Sequence, residues 1–118
     1  MAVRGVSEGK LQAVGALRSM AEAQQLMFEA VLAAGVPMVA GTDANVPLMA
    51  PGYSLHQELE ALVLAGMTPA QALESATATP GRFMDWNTGR VLPGFRANLV
   101  LLNANPLEDI RNTRSIAA

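Results

Sequence analysis

The stretch Val36-Pro37-Met38-Val39-Ala40-Gly41-Thr42-Asp43 decides how the rest of this 118-residue sequence is read. Val36 to Ala40 are apolar on both faces, the pattern of a strand covered on both sides in a parallel sheet. Pro37 cannot donate a ladder hydrogen bond and so belongs at the strand's beginning. The run then ends in a small residue, a hydroxyl and a carboxylate, and parallel α/β folds place their reacting groups at the carboxyl ends of strands. Asp43 is therefore a candidate catalytic residue, suited to hold a metal ion or move a proton. The competing reading is a turn or cap aspartate, a frequent role for this residue after a strand.

Upstream, residues from about Gly9 to Ala34 are rich in good helix formers, with Leu11, Val14 and Leu17, then Met27, Ala30, Val31 and Ala34, at the three-and-four spacing of a buried stripe. Gly15, or the Arg18-Ser19 region, is a point where this helix can divide in two. Gly35 stops it, because glycine enters the left-handed cap conformation without steric cost. Helix, glycine and buried strand in quick succession make the return half of an α/β unit.

Downstream, Gly41 to Tyr53 form a loop punctuated by Asn45, Pro47, Pro51 and Gly52. Ser54 and Gln57 have the spacing of a capping box for the next helix, whose face is Leu55, Leu59, Leu62 and Val63 and whose end is Gly66. Thr68-Pro69-Ala70-Gln71 repeats the signal, with proline at the first helical position, for a helix running to about Ala78. Thr79-Pro80 starts a last short turn through Asp85. Beyond Trp86, Thr88–Val91 and Ala97–Leu102 read as two short strands joined at Pro93-Gly94, followed by a turn at Asn103–Pro106 and a polar tail after Ile110 that frays. Two strands alone make a marginal sheet and call for others.

Half of the residues are hydrophobic and 15% are charged, an apolar balance for so short a chain, so part of that surface is expected to meet a partner or a second copy. A net charge of -2 without a basic stripe argues against nucleic acid. The absence of cysteine excludes disulfides, thiolate catalysis and cysteine-ligated metals. Met1 to Lys10 lack the apolar core of a signal peptide, and Val31–Gly41 is far short of the roughly 20 residues that span a bilayer, so the expectation is a cytoplasmic protein without a membrane partner. Met27 and Met38 are expected as core filler.

Taken in order, Gly35-Val36, Gly41-Thr42-Asp43-Ala44, Ser54-Leu55-His56-Gln57-Glu58-Leu59, Ala65–Leu73, Ala76-Thr77, Gly89-Arg90-Val91-Leu92-Pro93-Gly94, Ala97–Leu101 and Asn105-Pro106-Leu107 form a series. This series resembles the C-terminal part of the metal-dependent amidohydrolase superfamily, in particular its imidazolonepropionase-like and Xaa-Pro dipeptidase-like members. The resemblance runs from about Ala30 to Ile110.

It implies an α/β fold in which residues 9–86 are a partial (β/α)8 barrel, the last strand and the helices after it. Residues 87–118 are then part of a small β-sandwich. In such proteins the aspartate matched by Asp43 ligates a catalytic divalent metal, zinc above all, takes a proton from its bound water and passes it to the leaving nitrogen. His56, the single histidine, matches a position near the barrel mouth, which makes it a substrate-binding candidate beside the plainer reading of a surface or packing residue in a helix's first turn. Tyr53 and Asn45 are weaker candidates for the same pocket, and Asp85 and Trp86 fall between barrel and sandwich.

The family draws its other ligands from a His-x-His, two further histidines and often a carboxylated lysine, and this chain matches only the last aspartate. A full barrel takes about 250 residues. In the sandwich segment Asn98 and Asn103 stand where similar proteins commonly carry aspartate. The resemblance therefore implies the terminal segment of a larger hydrolase of C–N bonds in cyclic amides or dipeptide-like small molecules, with Met1 as an internal start, inactive and metal-free as an isolated chain. The alternative is a non-catalytic helical module that self-associates through its apolar surface.

Overall fold

The computed structural model describes residues 8–44 and 49–117, and the chain divides into two compact units, one through Gly35 and one from Val36 onward. Among its described residues the first unit holds one helix, α1 (Glu8–Ala33). It runs through Gly15 and Arg18-Ser19 without a break, supported on one side by the Arg18–Glu22 ion pair and the Gln25–Glu29 hydrogen bond, each four residues apart. Its end follows the sequence: the Gly35 N–H bonds to the Leu32 carbonyl, with Gly35 at φ 67. The stripe expected to be buried is not. No residue of α1 is buried, and Leu11, Val14 and Leu17 are 60%, 61% and 66% exposed. Met27, expected as core filler, is likewise exposed, whereas Met38 is half-buried. Periodicity shows which face is apolar; it does not supply the surface that covers it.

The second unit packs α2 (Tyr53–Leu64), α3 (Pro69–Ala76), α4 (Ala78–Phe83) and a 3-10 helix (Ile110–Arg114) around Leu59, Met67, Ala72, Ala78 and Ile110. The α2–α3 corner is fixed locally. The Gly66 N–H bonds to the Val63 carbonyl and the Met67 N–H to the Leu62 carbonyl, a Schellman closure that turns Met67 into the core. Thr68 then caps α3 as expected, its hydroxyl accepting from the Gln71 N–H while the Gln71 side chain accepts from the Thr68 N–H.

The Ser54–Gln57 capping box does not form. Gly52 precedes α2 at φ 83 without a side-chain cap, and Ser54 is buried inside the first turn, where its hydroxyl turns to Thr42. A hydroxyl with a tertiary partner is withdrawn from its own helix end.

No strand is present among the described residues, where one was expected at Val36–Ala40 and two beyond Trp86. Val36–Ala40 is an irregular segment held at its end by the Ala40 N–H to the Ser75 carbonyl, 3.0 Å. A parallel-sheet strand needs a neighbour to complete its ladder, and the described residues offer none. The expected turn at Pro93-Gly94 does form, closed by Phe95 N–H to Leu92 O with Gly94 at φ 86, and Arg96 N–H reaches Asn87 O. The flanking segments pair no further. Leu102 instead makes one antiparallel bridge to Ile116, flanked by Asn103 N–H to Ser115 O and Ala117 N–H to Leu101 O.

The tail after Ile110, expected to fray, is held by local contacts over its described residues. Asp109 caps the 3-10 helix by accepting from the Arg111 N–H, and Ile110 and Thr113 are buried. Asn105 accepts the Leu107 N–H on its side chain, giving the expected turn before it.

Candidate functional site

The backbone that carries Asp43 is pinned by three contacts to α2 and α3. Ala40 bonds to Ser75 O, the Gly41 N–H bonds to Glu58 Oε1 at 3.2 Å, and Ser54 Oγ donates to Thr42 Oγ1 at 3.3 Å. Ser54 and Glu58 are four residues apart and so share a face of α2, which is why one helix can hold two consecutive residues of the segment.

Asp43 follows at φ 47, a left-handed conformation that a short polar side chain tolerates best among residues with a β-carbon. Its side chain is exposed, and no hydrogen bond or ion pair among the described residues uses its carboxylate. The turn thus presents a carboxylate outward from a fixed backbone.

His56 lies on a different part of α2 surface. Its Nδ1 is 3.0 Å from Thr113 Oγ1, and its ring meets Tyr53 edge-on with centroids 6.2 Å apart. The Arg114 guanidinium stacks 5.0 Å over the Tyr53 ring and pairs with Glu60, a half-buried partner about two turns further along α2. His56 and Thr113 also line a cavity of about 510 Å³ whose apolar wall includes Leu55, Leu59 and Leu102 and whose other polar residues are Thr77, Arg90 and Asn98. Tyr53 belongs to the His56 cluster through its ring. Asn45 lies outside the described residues.

Reading the sequence alone leaves out Thr42, Glu58, Thr113 and Arg114. A four-residue spacing from Ser54 was the available signal for Glu58. None existed for Thr113, which meets His56 across 57 positions of sequence.

The match to the amidohydrolase family model covers residues 10–116. The chain belongs to the amidohydrolase family. It is similar to an ochratoxinase of Aspergillus niger, 33% identical over 99 residues that make up 80% of this chain and 20% of the fungal protein. It is similar also to an imidazolonepropionase of Cereibacter sphaeroides, 38% identical over 94 residues, 76% of this chain and 23% of the bacterial protein. The chain thus spans about a fifth of the length of these curated relatives. No solved structure matches it significantly.

Amidohydrolases generally work with a divalent metal, and a catalytic site of that kind takes about three protein ligands. The donor set of this chain does not fit one. It has a single histidine and no cysteine, and among the described residues no three His, Asp or Glu side chains converge. Among the described residues no further His, Asp or Glu pair joins Asp43 in such a group. No described helix is long and apolar enough to cross a membrane.

Proposed function

We propose that this chain is a segment of a metal-dependent hydrolase of C–N bonds, with residues 9–86 belonging to a (β/α)8 barrel and residues 87–118 to an accompanying β-sandwich. The observation that carries this reading is the Asp43 turn. Its backbone is anchored to Ser75, Glu58 and, through Thr42, Ser54, yet its carboxylate is exposed and unpartnered among the described residues. Asp43 is the carboxylate that the segment contributes, as a metal ligand and proton-transfer group, to a centre whose other ligands lie in further polypeptide. His56 is the substrate contact. The substrate is a small cyclic amide or dipeptide-like molecule, a class suggested by the family and by relatives bearing the names ochratoxinase and imidazolonepropionase.

Alone, the chain is expected to bind no stoichiometric zinc and to turn over neither lactams nor dipeptides. Elemental analysis and hydrolysis assays on the purified 118-residue chain test this. Tightly bound metal together with turnover would overturn the claim that the centre is completed from elsewhere.

A second reading has its own support. Leu11, Val14, Leu17 and Met20 of α1 are all exposed, as are Leu99, Val100 and Leu101, and a short chain with this much open apolar surface is suited to self-association. A concentration-independent monomer mass by light scattering, with a cooperative melt, is the result that counts against a self-associating module.

A further inference from the structure

His56 and Thr113 together define a proton position. Thr113 Oγ1 lies 2.9 Å from the Ile110 carbonyl and 3.0 Å from His56 Nδ1. A hydroxyl has one hydrogen to donate, and a carbonyl can only accept. Both contacts are hydrogen bonds together only when the Thr113 hydroxyl donates to Ile110 O and His56 Nδ1–H donates to the Thr113 oxygen. The reverse arrangement, with the hydroxyl aimed at an unprotonated Nδ1, leaves the Ile110 contact without its proton. Thr113 is buried and His56 half-buried, so an unmade bond there is not freely replaced by water.

We infer that Thr113 is a positioning residue that fixes the neutral imidazole of His56 as its Nδ1–H tautomer. Nε2 then carries the unshared pair, and among the described residues it has no hydrogen-bond partner. An imidazole held this way accepts a hydrogen bond: it selects an N–H or O–H group on a ligand, such as the N–H of an amide, and not a carbonyl oxygen. His56 lines the 510 Å³ cavity, whose walls are otherwise mostly apolar, so the ligand class is a small molecule with an apolar body and one such donor. The ligand preference rests on His56 being the substrate contact; the tautomer does not depend on that reading or on any metal.

Because His56 is the only histidine, its ring nitrogens need no assignment among competitors. The experiment is a long-range 1H–15N correlation spectrum of the 15N-labelled full chain, purified without a histidine tag, at about pH 8.5, roughly two units above the ordinary imidazole value. The expected spectrum has Nδ1 at a protonated, pyrrole-type shift and Nε2 at an unprotonated, pyridine-type shift. This is opposite to the Nε2–H preference of the free side chain. Thr113→Ser keeps the pattern, and Thr113→Val moves it toward Nε2–H. A dominant Nε2–H signal in the unsubstituted chain, or the averaged pattern of a free histidine, overturns the inference, and that spectrum decides even if the valine variant fails to fold. Failure of the hydrolase reading would show as absent turnover in any longer product containing this segment, with the tautomer unchanged.

Discussion

Gly89 lies directly against the Thr77 carbonyl, so close that a β-carbon at position 89 would overlap that oxygen and stand 2.8 Å from the Ala78 nitrogen. Gly89 is also at φ 78, and Gly81 faces Thr88 in the same manner, its would-be β-carbon 2.7 Å from the Thr88 carbonyl. Two glycines thus let the backbone after α4 pack onto the α3–α4 junction. Gly89→Ala adds both a backbone clash and left-handed strain, and is expected to destabilise the second unit by about 2 kcal/mol or more. Urea unfolding checks this, and an unshifted midpoint would remove the contact from the account.

Thr68 closes a reciprocal cap at the start of α3. Thr68→Ala is expected to cost about 1 kcal/mol, with Thr68→Ser recovering most of it, since only the hydroxyl takes part. Thermal melts followed by circular dichroism measure the difference.

Arg111 holds Asp109 below the ordinary carboxylate range, first through its guanidinium hydrogen bonds and then through its backbone N–H. A carboxylate whose pKa is lower in the folded state adds stability that is fully present above its unfolded pKa and is lost as pH falls through the folded value. The 3-10 helix is therefore expected to loosen on acidification below about pH 4, and Asp109→Asn to flatten that dependence. Amide hydrogen exchange at Arg111 to Arg114 across that range reports it. No loosening, or loosening unchanged in the asparagine variant, would assign the acid response to another group.

Arg114 ties the same helix to α2 by pairing with Glu60 while stacking on Tyr53. Glu60→Gln is expected to cost about 1 kcal/mol, and the loss to shrink in about 1 M salt, because the pair is only half-buried and is screened. A salt-independent loss would mean that packing of the Arg114 stem, not charge, holds the contact.

Asp43 adopts its left-handed conformation at a cost that glycine avoids in the folded state, though glycine loses more entropy on folding. Asp43→Gly is expected to change stability by less than about 1 kcal/mol, and Asp43→Val to destabilise by more than about 1 kcal/mol. Urea midpoints separate the two, and equal effects would place Asp43 outside the left-handed region.

The local grammar of the chain was readable in order. Gly35 ends α1, Thr68 and Gln71 cap α3, Pro93-Gly94 turns the chain and Asp43 follows an apolar run, because each depends on backbone preferences of neighbouring residues. The amidohydrolase family was legible for the same reason: its motifs are short, local and in series. The strands were not. Val36–Ala40 has the composition of a buried strand, but a strand exists only where a second one completes its hydrogen bonds, and composition does not create that neighbour.

By itself, then, the sequence determined which segments turn, cap and present an apolar face, and which family the chain joins. Only the tertiary structure decided what those faces meet. It left α1 without a buried residue, turned Ser54 from its own helix end toward Thr42, and brought Thr113 across 57 positions onto His56. Local conformation follows from a residue and its near neighbours, whereas burial and a proton's place between two side chains depend on atoms far apart in sequence, which no local pattern encodes.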